Sequence, residues 1–253
     1  MDAQERRRRI LRLTRSAGSV DVSELAAGFG VARETIRRDL NLLEQEGLIR
    51  RSHGGARPLE SAGFESTLVE RTTRNVPQKT RIADAAVQLL REAETVFINE
   101  GFTPQLIAAA LPHDRPLTVV TASLAVARIL ADAERTTVLL LGGRVRPSTL
   151  ATVDHWASRM LAGLAIDLAY VGANGISREH GLTTPDPAVG EVKSLAVRGS
   201  RRRVLVGAHT KFGTVGFCRF AEVRDVEAIV TDTGLPSSEA QRYSLLGPQV
   251  IRV

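Results

Sequence analysis

Apolar residues recur at helical spacing through the first fifty residues of the chain. Residues 4–16 hold three apolar positions among arginines, and Gly18 follows as a stop signal, so this stretch is predicted as one helix. A very short extended piece around Asp21 precedes a brief second helix, for which Ser23 is the expected N-cap. A third helix is predicted over residues 33–45, because its apolar side chains recur at i, i+4 and i+7, namely Ile36, Leu40 and Leu43.

The polar face of the third predicted helix is rich in arginine. A short helix, a glycine-containing turn and a longer helix form a helix-turn-helix, whose second helix lies in the major groove of DNA. Arginine pairs bidentately with guanine and also holds phosphates. The same periodicity is compatible with a three-helix protein-interaction domain, but the outward arginines favour DNA. The candidate DNA contacts on this helix are Arg33, Glu34, Thr35, Arg37 and Arg38.

A strand-like stretch and a glycine-rich turn follow the third helix. Residues 48–51 are apolar and then basic, and residues 52–56 contain two adjacent glycines. This order is typical of a wing that touches backbone phosphate or the minor groove. We therefore expect a winged helix-turn-helix domain over residues 1–57, with Arg51 and His53 as further candidate DNA contacts.

Beyond this module the pattern alternates between short apolar runs and longer helical stretches. Apolar runs without strict alternation favour strands buried on both faces, and the intervening helices give βαβ spacing. The chain is therefore predicted to hold a mostly parallel α/β domain over residues 78–253, after a linker at 58–77. The predicted strands are 95–98, 117–121, 137–141, 168–172, 203–206 and 228–231, and the predicted helices are 78–91, 104–111, 123–133, 154–164 and 187–199.

Glycines and small hydroxyl residues follow several of the predicted strands. Ligands of open α/β sheets bind beyond the carboxyl ends of the strands, and free N–H groups at helix starts favour anions. A single glycine after a strand is commonly only a tight turn. Five such loops on one edge of the sheet, however, together indicate a ligand site. They are residues 99–103, 121–123, 142–144, 172–175 and 207–211.

Charge divides the chain in the same place as the hydrophobic pattern. Residues 1–57 contain 12 arginines against 8 acidic residues, a net charge of +4 out of +6 for the whole chain. A basic module that meets a polyanion is thus joined to a nearly neutral one. Only three basic residues are lysines, and Lys193 and Lys211 both fall in the predicted ligand region, where a compact ammonium suits a small site.

Cysteine and histidine usage excludes several kinds of site. The single cysteine, Cys218, rules out an intramolecular disulfide and a multi-cysteine metal site. The five histidines are scattered without metal-ligand spacing, so no metal and no cofactor is expected. No stretch approaches 18 consecutive apolar residues, and a reducing cytoplasm is the expected compartment.

Residues 19–56 resemble the signature of the DeoR family of bacterial transcription regulators. The resemblance is strongest in Thr35-Ile36-Arg37-Arg38-Asp39-Leu40 and in Arg51-Ser52-His53-Gly54-Gly55-Ala56. It implies that residues 33–40 belong to the recognition helix and that the His-Gly-Gly segment belongs to the wing. Ala32 departs from the family pattern, which usually has a serine there, so the start of this helix is expected to be slightly less stable.

The second module resembles the sugar-sensing domain of the same family, which shares a fold with ribose-5-phosphate isomerase and CoA transferases. The matching segments include VVTASLAVARIL, LLLGGRVRPSTL, DLAYVGANGIS and EVKSL. In the family these loops hold a phosphorylated sugar or a related effector. The effector contacts implied here are Glu100, Gly101, Phe102, Thr103, Thr121, Ser123, Gly142, Gly143, Asn174, Lys193 and Lys211.

Three departures from the family pattern fall within this expected site. The first loop reads Asn99-Glu100-Gly101-Phe102-Thr103 instead of a hydroxyl-rich sequence, Asp154 stands where glycine is common, and His209 lies in a segment that usually reads Asp-Ser-Ser. A carboxylate beside a phosphate is repulsive unless a cation intervenes. Glu100 therefore suggests an effector that is less anionic than an ordinary sugar phosphate, or one that bears an amine.

These observations predict a sequence-specific DNA-binding regulator, a repressor of a carbohydrate-related operon controlled by a small metabolite. The expected partners are double-stranded operator DNA, the effector and further copies of the chain in a dimer or tetramer, without a membrane. The alternative is a sugar-phosphate isomerase-like enzyme bearing a DNA-binding domain, in which Glu100 would supply the base. Because Glu191 and Lys193 point to different faces of a helix, the catalytic alternative is the weaker one.

Overall fold

The N-terminal unit is built from three helices and a small antiparallel sheet. The computed structural model describes residues 2–17, 19–45, 48–52, 54–58, 67–112 and 114–253, and the chain divides into two units, 1–66 and 67–253. In the first unit the sheet order is β1-β3-β2. Its elements are α1 Ala3–Ala17, β1 Val20–Asp21, α2 Val22–Phe29, α3 Arg33–Gln45, β2 Ile49–Ser52 and β3 Gly55–Pro58.

Amphipathic periodicity produces these three helices, as the sequence predicts. The apolar positions of α3, including Ile36 and Leu40, join Ile10 of α1 and Ile49 of β2 in one buried core. The predicted N-cap of α2 is wrong, because Asp21 and not Ser23 caps it. The Asp21 carboxylate accepts hydrogen bonds from the backbone N–H groups of the second and third helical residues. A cap one residue before the helix satisfies these two donors, which Ser23 cannot do from inside the helix.

The second unit is an α/β domain around one parallel sheet. Its helices are α4 Leu68–Thr73, α5 Val76–Val87, α6 Phe102–Ala109, α7 Leu124–Leu130, α8 Asp154–Ala162, α9 Pro187–Gly199 and α10 Ser237–Ser244. Its strands are β4 Thr95–Ile98, β5 Leu117–Thr121, β6 Thr136–Leu140, β7 Arg144–Arg146, β8 Ala151–Val153, β9 Ile166–Gly172, β10 Gly175–Ser177, β11 Gly181–Thr184, β12 Ser200–Val206, β13 Cys218–Ala221, β14 Ala228–Thr231 and β15 Gln249–Arg252.

The main sheet has seven parallel strands in the order β15-β14-β12-β9-β4-β5-β6. All six strands predicted from apolar runs belong to it, which confirms the predicted mostly parallel α/β domain after a helix-turn-helix. The chain order reverses at β4, since β5 and β6 lie on one side and β9, β12, β14 and β15 on the other. The crevice beyond β4 and β9 is therefore the topological switch point where ligands bind in such sheets.

Both faces of the main sheet are buried. Val96 and Ile98 of β4 pack in one apolar cluster, whereas Phe97 between them packs in the other. This two-sided burial explains why the strands read as continuous apolar runs rather than as an alternating pattern. Within the described parts of the chain, none of the helices combines the length and the apolar character needed to cross a membrane.

Several short elements were not predicted. Strands β7 and β8 form an antiparallel hairpin, and β10, β11 and β13 form a separate antiparallel sheet. Helix α10 and the edge strand β15 complete the C-terminal part. Residues 58–77, expected as a linker, contain the helix α4, and Thr67 already belongs to the second unit.

Candidate functional site

The outward face of α3 holds the side chains that were predicted to contact DNA. Arg33, Glu34, Arg37 and Arg38 are exposed, and Thr35 is half-buried at the same end of the helix. The opposite face of α3 is fully committed to the core of the N-terminal unit. Arg37 also lies 3.3 Å from Glu34, an exposed pair one helical turn apart. The basic side chains of α3 are thus displayed together on a rigid helix.

An ion pair fixes α3 against α1. The Arg6 Nε atom donates to Asp39 Oδ2 at 2.5 Å, and the two side chains are only 11% and 5% exposed. A charge-assisted hydrogen bond in this position holds the register of the two helices better than apolar contacts alone. Asp39, part of the motif on which the family resemblance rests, therefore positions α3 from its buried side.

The structure places Arg51 against α3 rather than pointing freely outward. Its guanidinium donates to Asn41 Oδ1 at 2.5 Å and to the Arg37 carbonyl oxygen at 3.3 Å. The Arg51 backbone N–H donates to Glu44 Oε1 at 2.7 Å. These bonds hold β2 on α3, so Arg51 positions the hairpin of β2 and β3. The other predicted wing contact, His53, lies outside the described residues.

The turn of the wing depends on two glycines. Gly54 has a φ of 80°, in the left-handed region that favours glycine. A Cβ atom on Gly55 would lie 1.9 Å from the Val20 carbonyl oxygen, because β1 and β3 pair closely at this point. The Gly-Gly pair of the motif is therefore required by the backbone, independently of any contact with DNA.

A buried ion pair occupies the switch point of the second unit. Lys193 Nζ of α9 lies 3.1 Å from Glu100 Oε1, and the side chains are 3% and 4% exposed. The same ammonium donates to the Gly172 carbonyl oxygen at 3.0 Å and lies 5.4 Å from the centre of the Phe220 ring. Glu100 follows β4 and Gly172 ends β9. Lys193 is thus the cation that offsets the Glu100 charge, and it ties these two strands together.

The hydroxyl residues after β5 point into the protein. Thr121 and Ser123 are fully buried. Thr121 Oγ1 donates to the Ile98 carbonyl oxygen at 2.7 Å and accepts the Ser123 N–H, while Ser123 Oγ caps α7 through the Val126 N–H. These hydrogen bonds show that the two side chains shape the turn, while their contact with an effector stays a prediction.

The remaining predicted contacts have different structural roles. Gly101 has a φ of 123° and begins α6, Phe102 is partly exposed, and Thr103 is buried. Gly143 is a hairpin position, since a Cβ atom there would lie 2.3 Å from the Val153 carbonyl oxygen. Asn174 Oδ1 accepts a hydrogen bond from the Thr184 hydroxyl.

Two further observations concern Gly142 and the departure at Asp154. The Gly142 N–H lies 3.2 Å from Met160 Sδ of α8. Asp154 adopts a φ of 75° at the first residue of α8, which gives a physical reason for the glycine that is common there. Aspartate is among the few side chains that tolerate this conformation.

A histidine and a buried aspartate meet beyond β12 and β14. His209 Nδ1 lies 2.6 Å from Asp232 Oδ2, and the His209 backbone N–H donates to Asp232 Oδ1 at 2.8 Å. Burial of Asp232 raises the pKa of its carboxyl, but the hydrogen bonds and charge from His209 and the Gly234 N–H outweigh burial and hold that pKa below its usual value. The carboxylate orients the imidazole at the same edge of the sheet as Lys211.

Lys79 of α5 was not among the candidate site residues predicted from the sequence. Its ammonium donates to the Arg71 carbonyl oxygen at 2.6 Å and lies 5.5 Å from the centre of the Phe102 ring. Burial, together with the positive charges of Lys211, Arg71 and Arg74, lowers the pKa of Lys79 to about 8. The rarity of lysine was the available signal, since all three lysines of the chain lie at this part of the domain. Four cations thus gather beside the predicted first loop.

Comparisons with known proteins cover nearly the whole chain. The model of the DeoR-like helix-turn-helix domain matches residues 6–62, and that of the DeoR C terminal sensor domain matches residues 74–233. The HTH-type transcriptional regulator GlpR of Haloferax volcanii is 36% identical and aligns over 98% of this chain and 96% of its own. The glycerol-3-phosphate regulon repressor of Escherichia coli K12 is 31% identical over 95% of each chain.

A solved structure is also similar over part of the chain. Ribose 5-phosphate isomerase A from Methanocaldococcus jannaschii has 14% identity and a TM-score of 0.40, and the match covers 55% of each chain. The whole-length relatives are named as a regulator and a repressor, and the first unit matches a DNA-binding domain, so the chain is a DNA-binding transcriptional regulator. The match of both halves to one family's domains shows that the chain belongs to the DeoR family of transcriptional regulators.

Proposed function

We propose that this regulator represses a carbohydrate-related operon and releases it when a phosphorylated sugar or a related metabolite binds beside the switch point. Residues 1–57 read the operator, and the second unit, which includes Arg71 of α4 and the neighbouring Arg74, senses the effector and assembles the oligomer. The observation that supports an anionic effector most directly is the gathering of Lys79, Lys211, Arg71 and Arg74, where burial and then the positive charges of the other three lower the pKa of Lys79 to about 8. A bound anion would relieve the repulsion among these cations.

The Glu100–Lys193 pair changes the expectation for the effector. Glu100 suggested a less anionic ligand because a lone carboxylate repels phosphate. Its charge is offset by Lys193 at 3.1 Å, so this repulsion no longer argues against a phosphate. We assign the anionic group of the effector to Lys79 and Lys211, and its hydroxyl groups to the polar side chains around Glu100 and Asn174. The glycerol-3-phosphate regulon repressor of Escherichia coli makes glycerol 3-phosphate a reasonable first probe.

Operator recognition in this proposal requires more than one copy of the chain. Helix-turn-helix proteins read two half-sites one helical turn apart with a symmetric pair of recognition helices. A dimer or a dimer of dimers, assembled through the second unit, supplies that symmetry. The effector then acts by binding one arrangement of the paired DNA-binding units more tightly than the other.

Effector release is tested on the protein bound to a labelled duplex from immediately upstream of its own gene. Glycerol 3-phosphate, fructose 1-phosphate and glucose 6-phosphate are titrated against the complex, with their unphosphorylated parents and inorganic phosphate as controls. We expect at least one phosphorylated probe to lower the fluorescence anisotropy where its parent does not. Lys79→Met and Lys211→Met should each weaken this response by about tenfold or more, the size of one lost charge-assisted contact.

The matched control is Arg201→Met, because Arg201 is 83% exposed at the amino end of β12, the opposite edge of the sheet. It should leave the response unchanged. If no phosphorylated probe releases the duplex, or if both lysine variants respond like the wild type, the proposed effector class is wrong.

A further inference from the structure

Five apolar side chains are exposed together at one edge of the second unit. Between 39% and 66% of each side chain is accessible to solvent. Single exposed apolar residues are normal on protein surfaces, whereas a contiguous group marks an interaction site. The group, named here the edge patch, consists of Leu139 and Leu140 of β6, Val145 of β7, and Trp156 and Met160 of α8.

Contacts within the unit bring Leu139, Val145, Trp156 and Met160 together at the end of β6, whereas Leu140 points to the other face of this edge strand, because successive side chains of a strand alternate. The Gly142 N–H lies 3.2 Å from Met160 Sδ, which brings α8 against the end of β6. Trp156 and Met160 are four residues apart and therefore share one face of α8. Val145 is paired with Thr152, whose hydroxyl donates to the Leu141 carbonyl oxygen at 2.7 Å, so β7 also lies at the end of β6.

The edge patch coincides with an open edge of the main sheet. Strand β6 is last in the strand order, and among the described residues it pairs with β5 alone. An edge strand presents unpaired N–H and C=O groups, and natural proteins usually protect such edges with charged residues, proline or a covering element. The last two residues of β6 are leucines, which are neither charged nor proline, so they do not protect this edge from pairing with another chain. A partner that covers them satisfies both the backbone groups and the apolar surface.

The size and charge of the edge patch fit a second copy of this chain. A standard interface buries about 800 Å² per partner, of which about 60% is apolar. Trp156, at 66% exposed, contributes the largest part of the apolar surface of the patch, since an aromatic side chain buries about 150–250 Å². A twofold interface brings each patch against itself, so its charges must not repel. At its rim Arg144 is paired with Asp154 at 2.7 Å, which keeps the rim balanced.

We propose that the edge patch is the surface through which two copies of this chain associate about a twofold axis, with β6 and α8 of each copy at its centre. This proposal rests on the proposed function only in its need for a symmetric pair of DNA-binding units. It adds to that function the location of the interface, on the β6 side of the sheet.

The single tryptophan of the chain makes the proposal directly measurable. Trp156 is 66% exposed in one copy and becomes buried when the patches meet. The full chain is diluted over several decades of concentration, and the tryptophan emission is recorded beside the mass from analytical ultracentrifugation. We expect the emission to shift to longer wavelength over the same concentration range in which the mass falls.

Two variants test the assignment while keeping Trp156. Leu139→Glu and Met160→Glu should each halve the mass at a given concentration and weaken association by about 30-fold or more, the effect of a hot-spot residue. The matched control is Leu245→Glu, since Leu245 is apolar and 80% exposed but lies just beyond α10. It should assemble like the wild type. Circular dichroism of each variant verifies that the unit remains folded.

Each contrary result has a distinct meaning. If both patch variants assemble as Leu245→Glu does, the interface lies elsewhere; the proposed homo-oligomer stands and the edge patch proposal is overturned. If the wild type is a single chain at every concentration, both proposals fail. A single chain with a blue-shifted tryptophan at all dilutions means that the patch is covered from within the same chain, which also overturns the proposal.

Discussion

Three lysines occupy three different environments at one edge of the second unit. Lys193 is buried with Glu100, whereas Lys79 is half-buried beside Phe102 and the positive charges of its neighbours. Lys211 follows His209 in the short 3-10 helix beyond β12. A lysine ammonium is a compact charge whose pKa responds to burial, unlike the guanidinium of arginine. The role of a lysine charge can therefore be tested by replacing the lysine with arginine, which stays charged.

The lowered pKa of Lys79 predicts a pH-dependent effector affinity. An anion binds the protonated ammonium, so affinity is full below pH 8 and is lost as pH rises through about 8. A phosphate monoester remains dianionic over this range, because its second pKa is about 6. The dissociation constant of the phosphorylated probe should rise between pH 7.5 and 9.5, by up to about tenfold per unit. Lys79→Arg, which stays charged, should remove this rise, and a wild type with constant affinity would count against the assignment.

The Glu100–Lys193 pair predicts strong coupling between two substitutions. Removing one partner of a buried ion pair leaves an uncompensated charge and costs about 3–5 kcal/mol. Glu100→Gln and Lys193→Met should therefore each lower the free energy of unfolding of the second unit, measured by urea denaturation. The double variant should lose less than the sum of the two, because it leaves no unpaired charge. Strictly additive losses would show that the two side chains do not interact.

At the residue scale, the sequence indicated which residues are candidates for the site better than it indicated which residues interact with one another. Lys193 and Glu100 were both singled out, but they are 93 positions apart, and only the tertiary fold shows that they neutralise each other. Lys79 lies on a helix before the first predicted loop, so the rule of inspecting loops after strands passed over it. Ser23 is a good capping residue by type, yet Asp21 is the residue in position to cap.

Elements with a strong apolar period were predicted correctly, whereas several short or polar elements of the second unit were not. Helix α3 and strand β5 have the predicted boundaries because burial on one or both sides dictates their pattern. Strand β7 reads Arg-Val-Arg and β10 has only three residues, so neither has a period to detect. More than 30 residues of chain separate β13 from its partner strand β11. The local sequence therefore does not indicate that the two strands pair.

Substitution by alanine is expected to have opposite effects at two glycines of the N-terminal unit, Gly55 in the wing and Gly28 in α2. Gly55→Ala forces a Cβ atom to within 1.9 Å of the Val20 carbonyl oxygen, so β1 and β3 must separate. Gly28→Ala lies inside α2 with nothing within 4 Å, and it should stabilise the unit by about 0.5–1 kcal/mol. Hydrogen exchange over residues 20–58 of the full chain should become faster in Gly55→Ala and slower in Gly28→Ala. Equal exchange in the two variants would contradict this account of the wing.

At the scale of the whole molecule, the two units divide recognition from sensing. The N-terminal unit displays basic side chains on a helix fixed by the Arg6–Asp39 pair, and the second unit gathers cations at the switch point of a parallel sheet. Both units match domains of one family, which links them in function. A regulator of this type must prefer its operator by far more than electrostatic attraction provides.

The most direct test is the affinity of the full chain for a labelled duplex from immediately upstream of its own gene and for a scrambled duplex of equal composition. Anisotropy is measured across a salt series from about 50 to 200 mM, in which contacts with phosphate alone weaken steeply. We expect a preference of about 10³-fold or more for the native duplex. Arg37→Ala should reduce that preference, whereas Arg201→Ala, a matched loss of one charge on the second unit, should not. Equal, salt-sensitive binding of both duplexes would contradict the account.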